Sequence, residues 1–256
     1  MLGHPGGSVL MADAFLASQR VLVVTPHSDD ETIGCAGTIA RIKQLGGEVY
    51  CLVGSLGGID QYTNGGSAAA EEVQQTRMRF VSGEQRLTEF RAVMELLKVD
   101  DWEVMFGDEF HIALDTLPRR DLVARIERTG AVSLEAVRPT MVLMPALSFN
   151  QDHEALFRAC LAATRPTAPG RRHTVPIVLT YDNGTAHWGR ESEAFHPNVY
   201  VDISDYVDVK LKALALHASQ LHGVPARAGL TALMHLYGEQ VAVGAAEAFQ
   251  ALRVVL

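Results

Sequence analysis

The sequence predicts an α/β protein, a Rossmann-like three-layer sandwich with a mainly parallel sheet and a helical C-terminal part. Three observations carry this. Short β-branched apolar runs recur at Val21–Thr25, Glu48–Gly54, Met141–Ala146, Pro176–Tyr181 and Val199–Ile203. Helical patterns lie between several of them, and alternation of this kind builds parallel sheets covered on both faces. The runs are continuously apolar rather than alternating, as in strands buried on both sides. The expected helices are Thr38–Leu45, Gln85–Leu97, Leu122–Val137 and His153–Ala163, followed by Val207–Leu221 and Leu230–Leu252, which pack along one side of the sheet.

At 256 residues the chain suits one domain, 1–256, and no internal repeat divides it. A net charge of −8, without a run of Lys and Arg, sets nucleic-acid binding aside. Cys35, Cys51 and Cys160 are odd in number and lack C-x-x-C spacing, which argues against a disulfide framework or a cysteine zinc site. Cys51 falls in a strand pattern and Cys160 in a helical one, as small core residues do. Asp13, Ser18, Gln19 and Arg20 interrupt the N-terminal apolar stretch, and no segment is long enough for a membrane span. A cytoplasmic location is the expectation. The segment 55–83 is long, carries Asn64-Gly65-Gly66-Ser67, and reads either as a lid or substrate loop over the sheet edge or as a flexible insertion.

The chemistry concentrates where the first strand ends, at Pro26-His27-Ser28-Asp29-Asp30-Glu31. One imidazole and three carboxylates this close need water, a helix N-terminus or a cation to relieve their repulsion. Ser28-x-x-Glu31 fits a capping box, which accounts for those two residues but not for His27 or the paired aspartates. Residues three apart share a helix face, so His27 and Asp30 can converge while Asp29 points elsewhere. Imidazole plus carboxylate is part of a zinc coordination set. A third ligand is offered by Ser148-Phe149-Asn150-Gln151-Asp152-His153, which follows Met141–Ala146. Parallel strands share one carboxyl edge, so the two segments can meet there, and His153 in a first helical turn tends to stay neutral, as ligation requires. The alternative makes Asn150 an N-cap, Asp152 and Glu154 dipole partners, and His153 a solvent-exposed passenger.

The Pro26–Glu31 run resembles the (A/P)-H-P-D-D-E signature of the LmbE-like, or PIG-L-like, zinc-dependent de-N-acetylases. Further similar patterns are Arg86-x-x-Glu89, Asp152-His153, Phe195-His196-Pro197-Asn198 with Asp202-Ile203, Lys212 through Ser219-Gln220, and Gly244 leading to Ala246-Glu247-Ala248-Phe249. The resemblance implies that His27, Asp30 and His153 bind Zn2+, with Fe2+ as the other metal it allows. It implies Asp29 as general base and Arg86 as a substrate contact. Without it, Arg86 reads as a solvated residue pairing with Glu89 on its own helix face. His196 joins Arg86 as a substrate contact, against the alternative of a structural histidine before Pro197. Ser28 replaces the usual proline. Asn150 stands where many members carry a histidine that stabilises the tetrahedral intermediate; an amide can donate a hydrogen bond to an oxyanion but cannot shuttle a proton.

The function these readings imply is hydrolysis of an N-acetyl group from an amino-sugar-containing small molecule. Zinc and Asn150 would hold the oxyanion, and Asp29 would move the proton from water to the leaving amine. The alternatives are an amidase acting on a non-acetyl amide of a sugar–thiol or related conjugate, and a catalytically silent sugar-binding module of the same fold. Asp182, Asn183 and Trp188 follow a strand where they can line a sugar. His111, His173, His187, His217, His222 and His235 show no convergent spacing and receive no role. The partner expected is a small N-acetyl amino-sugar conjugate, with room left for a homo-oligomer.

Overall fold

The computed structural model describes residues 6–57, 82–168, 170–183, 195–220 and 224–255. Seven strands form one sheet in the order β3-β2-β1-β4-β5-β7-β6. They are β1 (Arg20–Thr25), β2 (Glu48–Val53), β3 (Asp101–Val104), β4 (Met141–Pro145), β5 (Ile177–Tyr181), β6 (Val199–Asp202) and β7 (Ala246–Val254). The first five in that order run parallel, and β7 lies antiparallel to both β5 and β6. The strand order reverses at β1, whose neighbours are β2 and β4. Crevices outside the carboxyl ends of strands open at such reversals.

Successive side chains of the central strands feed opposite layers. Val21 and Val23 of β1, with Met141 and Leu143 of β4, pack into one cluster with Ile39, Phe90 and Ala213. Leu22 and Val24, with Val142 and Met144, pack into the other with Leu122, Ile126 and Leu156. Most of the helical side chains in these layers come from α2 (Asp30–Leu45), α3 (Gly83–Leu96), α4 (Arg119–Glu127), α6 (Gln151–Ala163) and α7 (Val207–Leu216). Helix α1 (Gly6–Ala17), the one-turn α5 (Leu134–Val137) and α8 (Val224–Gln240) complete the described set. The three cysteines are buried and unpaired, as expected of core residues.

Helix α2 lies unusually close to the sheet because of Gly34. A Cβ on Gly34 would sit 2.2 Å from Cδ2 of Tyr181. The Tyr181 hydroxyl donates to the Val24 carbonyl oxygen at 3.0 Å, so helix, β5 and β1 are locked at the level where β1 ends.

Two sequence expectations are corrected by the fold, and two elements were not anticipated. The helix expected over Leu230–Leu252 stops at Gln240, and 246–254 is a strand. Its alternation decides the matter: Ala246 and Ala248 pack with Tyr237 on one face, while Phe249 joins the α2 side on the other. A run this short and alanine-rich is ambiguous between the two periods, and pairing with β5 and β6 resolves it. The single helix expected over Leu122–Val137 is two helices, broken at Gly130 (φ 122°) and restarted by the Ser133 side chain, which accepts from the Ala136 amide. Strand β3 and helix α1 were not anticipated; β3 is four residues at the sheet edge, too short for a periodic signal. Most of the segment expected as a lid, 55–83, lies outside the described residues, as do Trp188, His187 and His222.

Candidate metal centre

Strand β1 delivers its chain directly into the loop before α2. Thr25 Oγ1 donates to the His27 carbonyl at 2.8 Å, and the His27 amide donates to Asp30 Oδ2 at 3.2 Å. These bonds fold residues 27–30 back on themselves, so His27 and Asp30 face one point. Across the reversal, β4 ends and α6 begins with Asn150 as its N-cap, whose Oδ1 accepts from the amides of Asp152 and His153. The first turn of α6 thereby holds His153 over the end of β1.

The two segments meet. His27, Asp30 and His153 are buried, and one potential ligand atom from each lies within 4.8 Å of the others. Asp30 Oδ2 is 3.4 Å from His27 Nδ1 and 3.1 Å from His153 Nε2. Donors sharing a tetrahedral zinc at the usual bond lengths stand about 3.4 Å apart, so both separations from Asp30 Oδ2 suit a shared metal. The surroundings fit as well. Asp152, fully buried, accepts from His27 Nε2 at 3.0 Å through one oxygen and from the Leu114 amide at 2.9 Å through the other. A carboxylate behind a histidine fixes its tautomer and turns the opposite nitrogen, here Nδ1, toward the ion. Asn183 donates to Asp30 Oδ1 at 2.9 Å, leaving Oδ2 to the cluster.

The electrostatics ask for a cation. Burial opposes charge on His27, yet hydrogen bonds to Asp152 and Asp30 push it up to about 9. Burial likewise opposes charge on Asp30, and the adjacent His153 and His27 hold it well below the usual carboxylate range. A proton on His27 is thus the charge that the carboxylates recruit when nothing else supplies it. Asp29, half-buried beside this group, is raised to about 6 by burial and by the Asp30 charge, against the opposing pull of Arg86, His217 and His27. That places it where a carboxylate exchanges protons readily near neutrality.

Local anchoring departs from the capping-box expectation. Asp29, not Ser28, is the N-cap of α2, and the buried Ser28 hydroxyl finds no partner among the described residues. Glu31 does reach back, but to the Asp29 amide, with Oε2 accepting at 3.1 Å. Its other oxygen meets Thr32 Oγ1 at 2.8 Å and His217 Nε2 at 3.2 Å. Glu31 and His217 are both fully buried. Asp152 is likewise more than a helix-dipole partner, since it is buried and supports His27, and His153 is buried rather than a solvent-exposed passenger.

Arg86 overturns its surface reading. It is 2% exposed and turns away from Glu89, which instead accepts from the Ser219 amide and hydroxyl. Its Nη1 donates to the Gly57 carbonyl at 2.9 Å and stands 2.7 Å from His111 Nε2. His111 packs edge-to-face on His27, with ring centroids 4.7 Å apart. Burial and the neighbouring His27 and Arg86 push His111 down to about 2, so it is neutral. His196 is exposed on the lead-in to β6, with its amide on Gln250 Oε1, and is not among the residues that converge on the cluster. Sequence spacing missed His111, His217 and Asn183 as neighbours of the site. Only the Asp182–Asn183 position after a strand gave any sign of them.

An α/β protein that gathers two histidines, a shared carboxylate and a spare acid at its strand-order reversal carries a group of side chains that could hold a metal ion there. The family profile described as PIG-L: GlcNAc-PI de-N-acetylase matches residues 22–164, more than half of the chain, and the chain belongs to that family. It is 28% identical over 210 residues to a diacetylchitobiose deacetylase of Thermococcus kodakarensis, covering 79% of this chain and 70% of that one. It is 26% identical over 204 residues to a probable N-acetyl-alpha-D-glucosaminyl L-malate deacetylase 2 of Bacillus anthracis, covering 79% and 81%. Among solved structures, a conserved protein of Thermus thermophilus superposes with a TM-score of 0.66 at 26% identity, over 93% of this chain and 96% of the other. No described helix is long and apolar enough to cross a membrane.

Proposed function

We propose that this chain is a metal-dependent hydrolase that removes the acetyl group from an N-acetylated amino sugar or its conjugate. The observation that carries the reading is the convergence of His27, Asp30 and His153 beside the spare carboxylate of Asp29. The relatives named as deacetylases of acetylated amino sugars give the substrate class. His27 Nδ1, Asp30 Oδ2 and His153 Nε2 would hold the ion. Two imidazoles and a carboxylate suit zinc and equally iron(II). A metal so held supplies Lewis acidity, polarising a carbonyl and acidifying water.

The protein's own groups do the rest. Asp29 accepts a proton from the attacking water on a carboxylate oxygen, then returns it to the amide nitrogen as the C–N bond breaks, so that acetate and a free amine leave. Its backbone is pinned by Glu31, which fixes where that carboxylate stands. Asn150 commits Oδ1 to the α6 cap, and this leaves its Nδ2 hydrogens as the part able to donate to a developing oxyanion. Arg86 would offer a buried positive charge to a sugar hydroxyl or acidic group, and His196, outside the cluster, would meet only a distal part of the substrate. Acetate release from N,N'-diacetylchitobiose and a panel of N-acetylglucosamine conjugates, measured with metal content, tests the reading. One bound metal per chain and acetate release support it. Full metal loading without acetate release across the panel overturns it in favour of a different amide.

A further inference from the structure

Arg86 is a buried cation whose direct partners are neutral. Its Nη1 donates to a carbonyl, that of Gly57, and contacts an imidazole, that of His111; its Nε finds no acceptor among the described residues. A deeply buried arginine ordinarily takes a carboxylate, and here no anion among the described residues is hydrogen-bonded to the guanidinium. We propose that His111 is a positioning residue for substrate: it accepts from the Arg86 guanidinium and aims that charge at the mouth of the Asp29 site. The inference rests on the reading of Arg86 as a substrate contact.

The backbone around His111 is built for one placement. Ile112 has φ 57°, a left-handed conformation that β-branched residues rarely adopt. Such a conformation persists only where neighbours hold it. Here Gln151 Nε2 donates to the Ile112 carbonyl at 3.1 Å, and Asp152 accepts from the Leu114 amide at 2.9 Å. Both anchors sit in the first turn of α6, next to His153. Gly57 closes the other side: a Cβ there would lie 2.1 Å from the Asp108 carbonyl oxygen and 2.6 Å from His111 Cβ. The loop carrying His111 and the carbonyl gripping Arg86 therefore lie flush, and one imidazole touches both Arg86 and His27. A histidine that only filled space would need neither the acceptor nitrogen at 2.7 Å nor the strained residue beside it.

The test compares His111→Leu, which removes the acceptor, with His111→Gln, whose carbonyl can replace it, in metal-loaded protein acting on N,N'-diacetylchitobiose. His111→Leu should raise KM about tenfold with kcat within about threefold of the parent, and His111→Gln should recover most of that loss. The double variant His111→Leu/Arg86→Ala should be no worse than Arg86→Ala alone. Equal defects in the Leu and Gln variants, or additive defects in the double variant, overturn the proposal. Nitrogen-15 NMR of the arginine side chains gives a readout independent of turnover: rotation of the Arg86 guanidinium should be slow in the parent and faster in His111→Leu, and unchanged rotation also overturns it. If the parent protein releases no acetate at all, the deacetylase reading fails and the NMR comparison alone decides the role of His111.

Discussion

Two groups of buried charge lie along helix α2, and they are finished differently. Against its middle, Lys210 and Glu247 form an ion pair that is 2% and 3% exposed. Lys210 also donates to the Ile33 carbonyl at 2.6 Å, and Glu247 accepts from the amides of Gly37 and Thr38 at 2.9 and 2.7 Å. Cation, anion and helix backbone satisfy one another, and the pair ties α2, α7 and β7 together. At the N-terminal end, Asp29, Asp30, Glu31 and Asp152 crowd around imidazoles that must borrow a proton to balance them. A closed set of partners marks a structural device, and an unfinished one marks a place prepared for a guest.

The contrast breaks most sharply at Asp29. Asp29→Asn should lower acetate release by about 10²–10⁴-fold while metal content stays at the parental level. Turnover within a few fold of the parent would remove Asp29 from proton transfer. On the structural side, Glu247→Ala should cost about 3–5 kcal/mol by stranding Lys210 in the core, read by urea unfolding, with metal affinity unaffected in the protein that remains folded. A loss of metal affinity larger than the loss of stability would show that the two groups are one.

Asp152→Asn probes the support of the ligand set and should weaken metal binding by about 10–100-fold, read by chelator competition. Metal binding equal to the parent would leave Asp152 a role in the fold alone. Asn150 separates cap from chemistry: Asn150→Ala should cost about 1 kcal/mol of stability through the lost cap. Asn150→Asp keeps the cap, so a fall in acetate release at unchanged stability would assign the amide hydrogens a part in the reaction. Equal turnover in Asn150→Asp and the parent would confine Asn150 to capping.

How much of this was legible beforehand depended on the reach of each interaction. The convergence of His27, Asp30 and His153 could be foreseen because each follows a strand of a parallel sheet, and strand ends share an edge. The Asn150 cap is a local motif, and it was readable as one. The Ser28-x-x-Glu31 box had the right spacing and the wrong cap: Asp29 takes the N-cap place, Glu31 reaches its amide through one oxygen, and His217, far along the chain, meets the other. Arg86 misled in the same way: its neighbour Glu89 is engaged by Ser219 of another segment.

The sequence by itself determined the buried parallel strands, the helices between them and the two polar runs at their ends, because hydrophobic period and capping are written within one or two turns of chain. Tertiary structure alone decided that 246–254 pairs as a strand, that Asp152 backs His27, and that a neutral His111 meets Arg86. Those outcomes depend on side chains tens of residues apart competing for the same buried hydrogen bonds, and only the packed fold settles which partner each one takes.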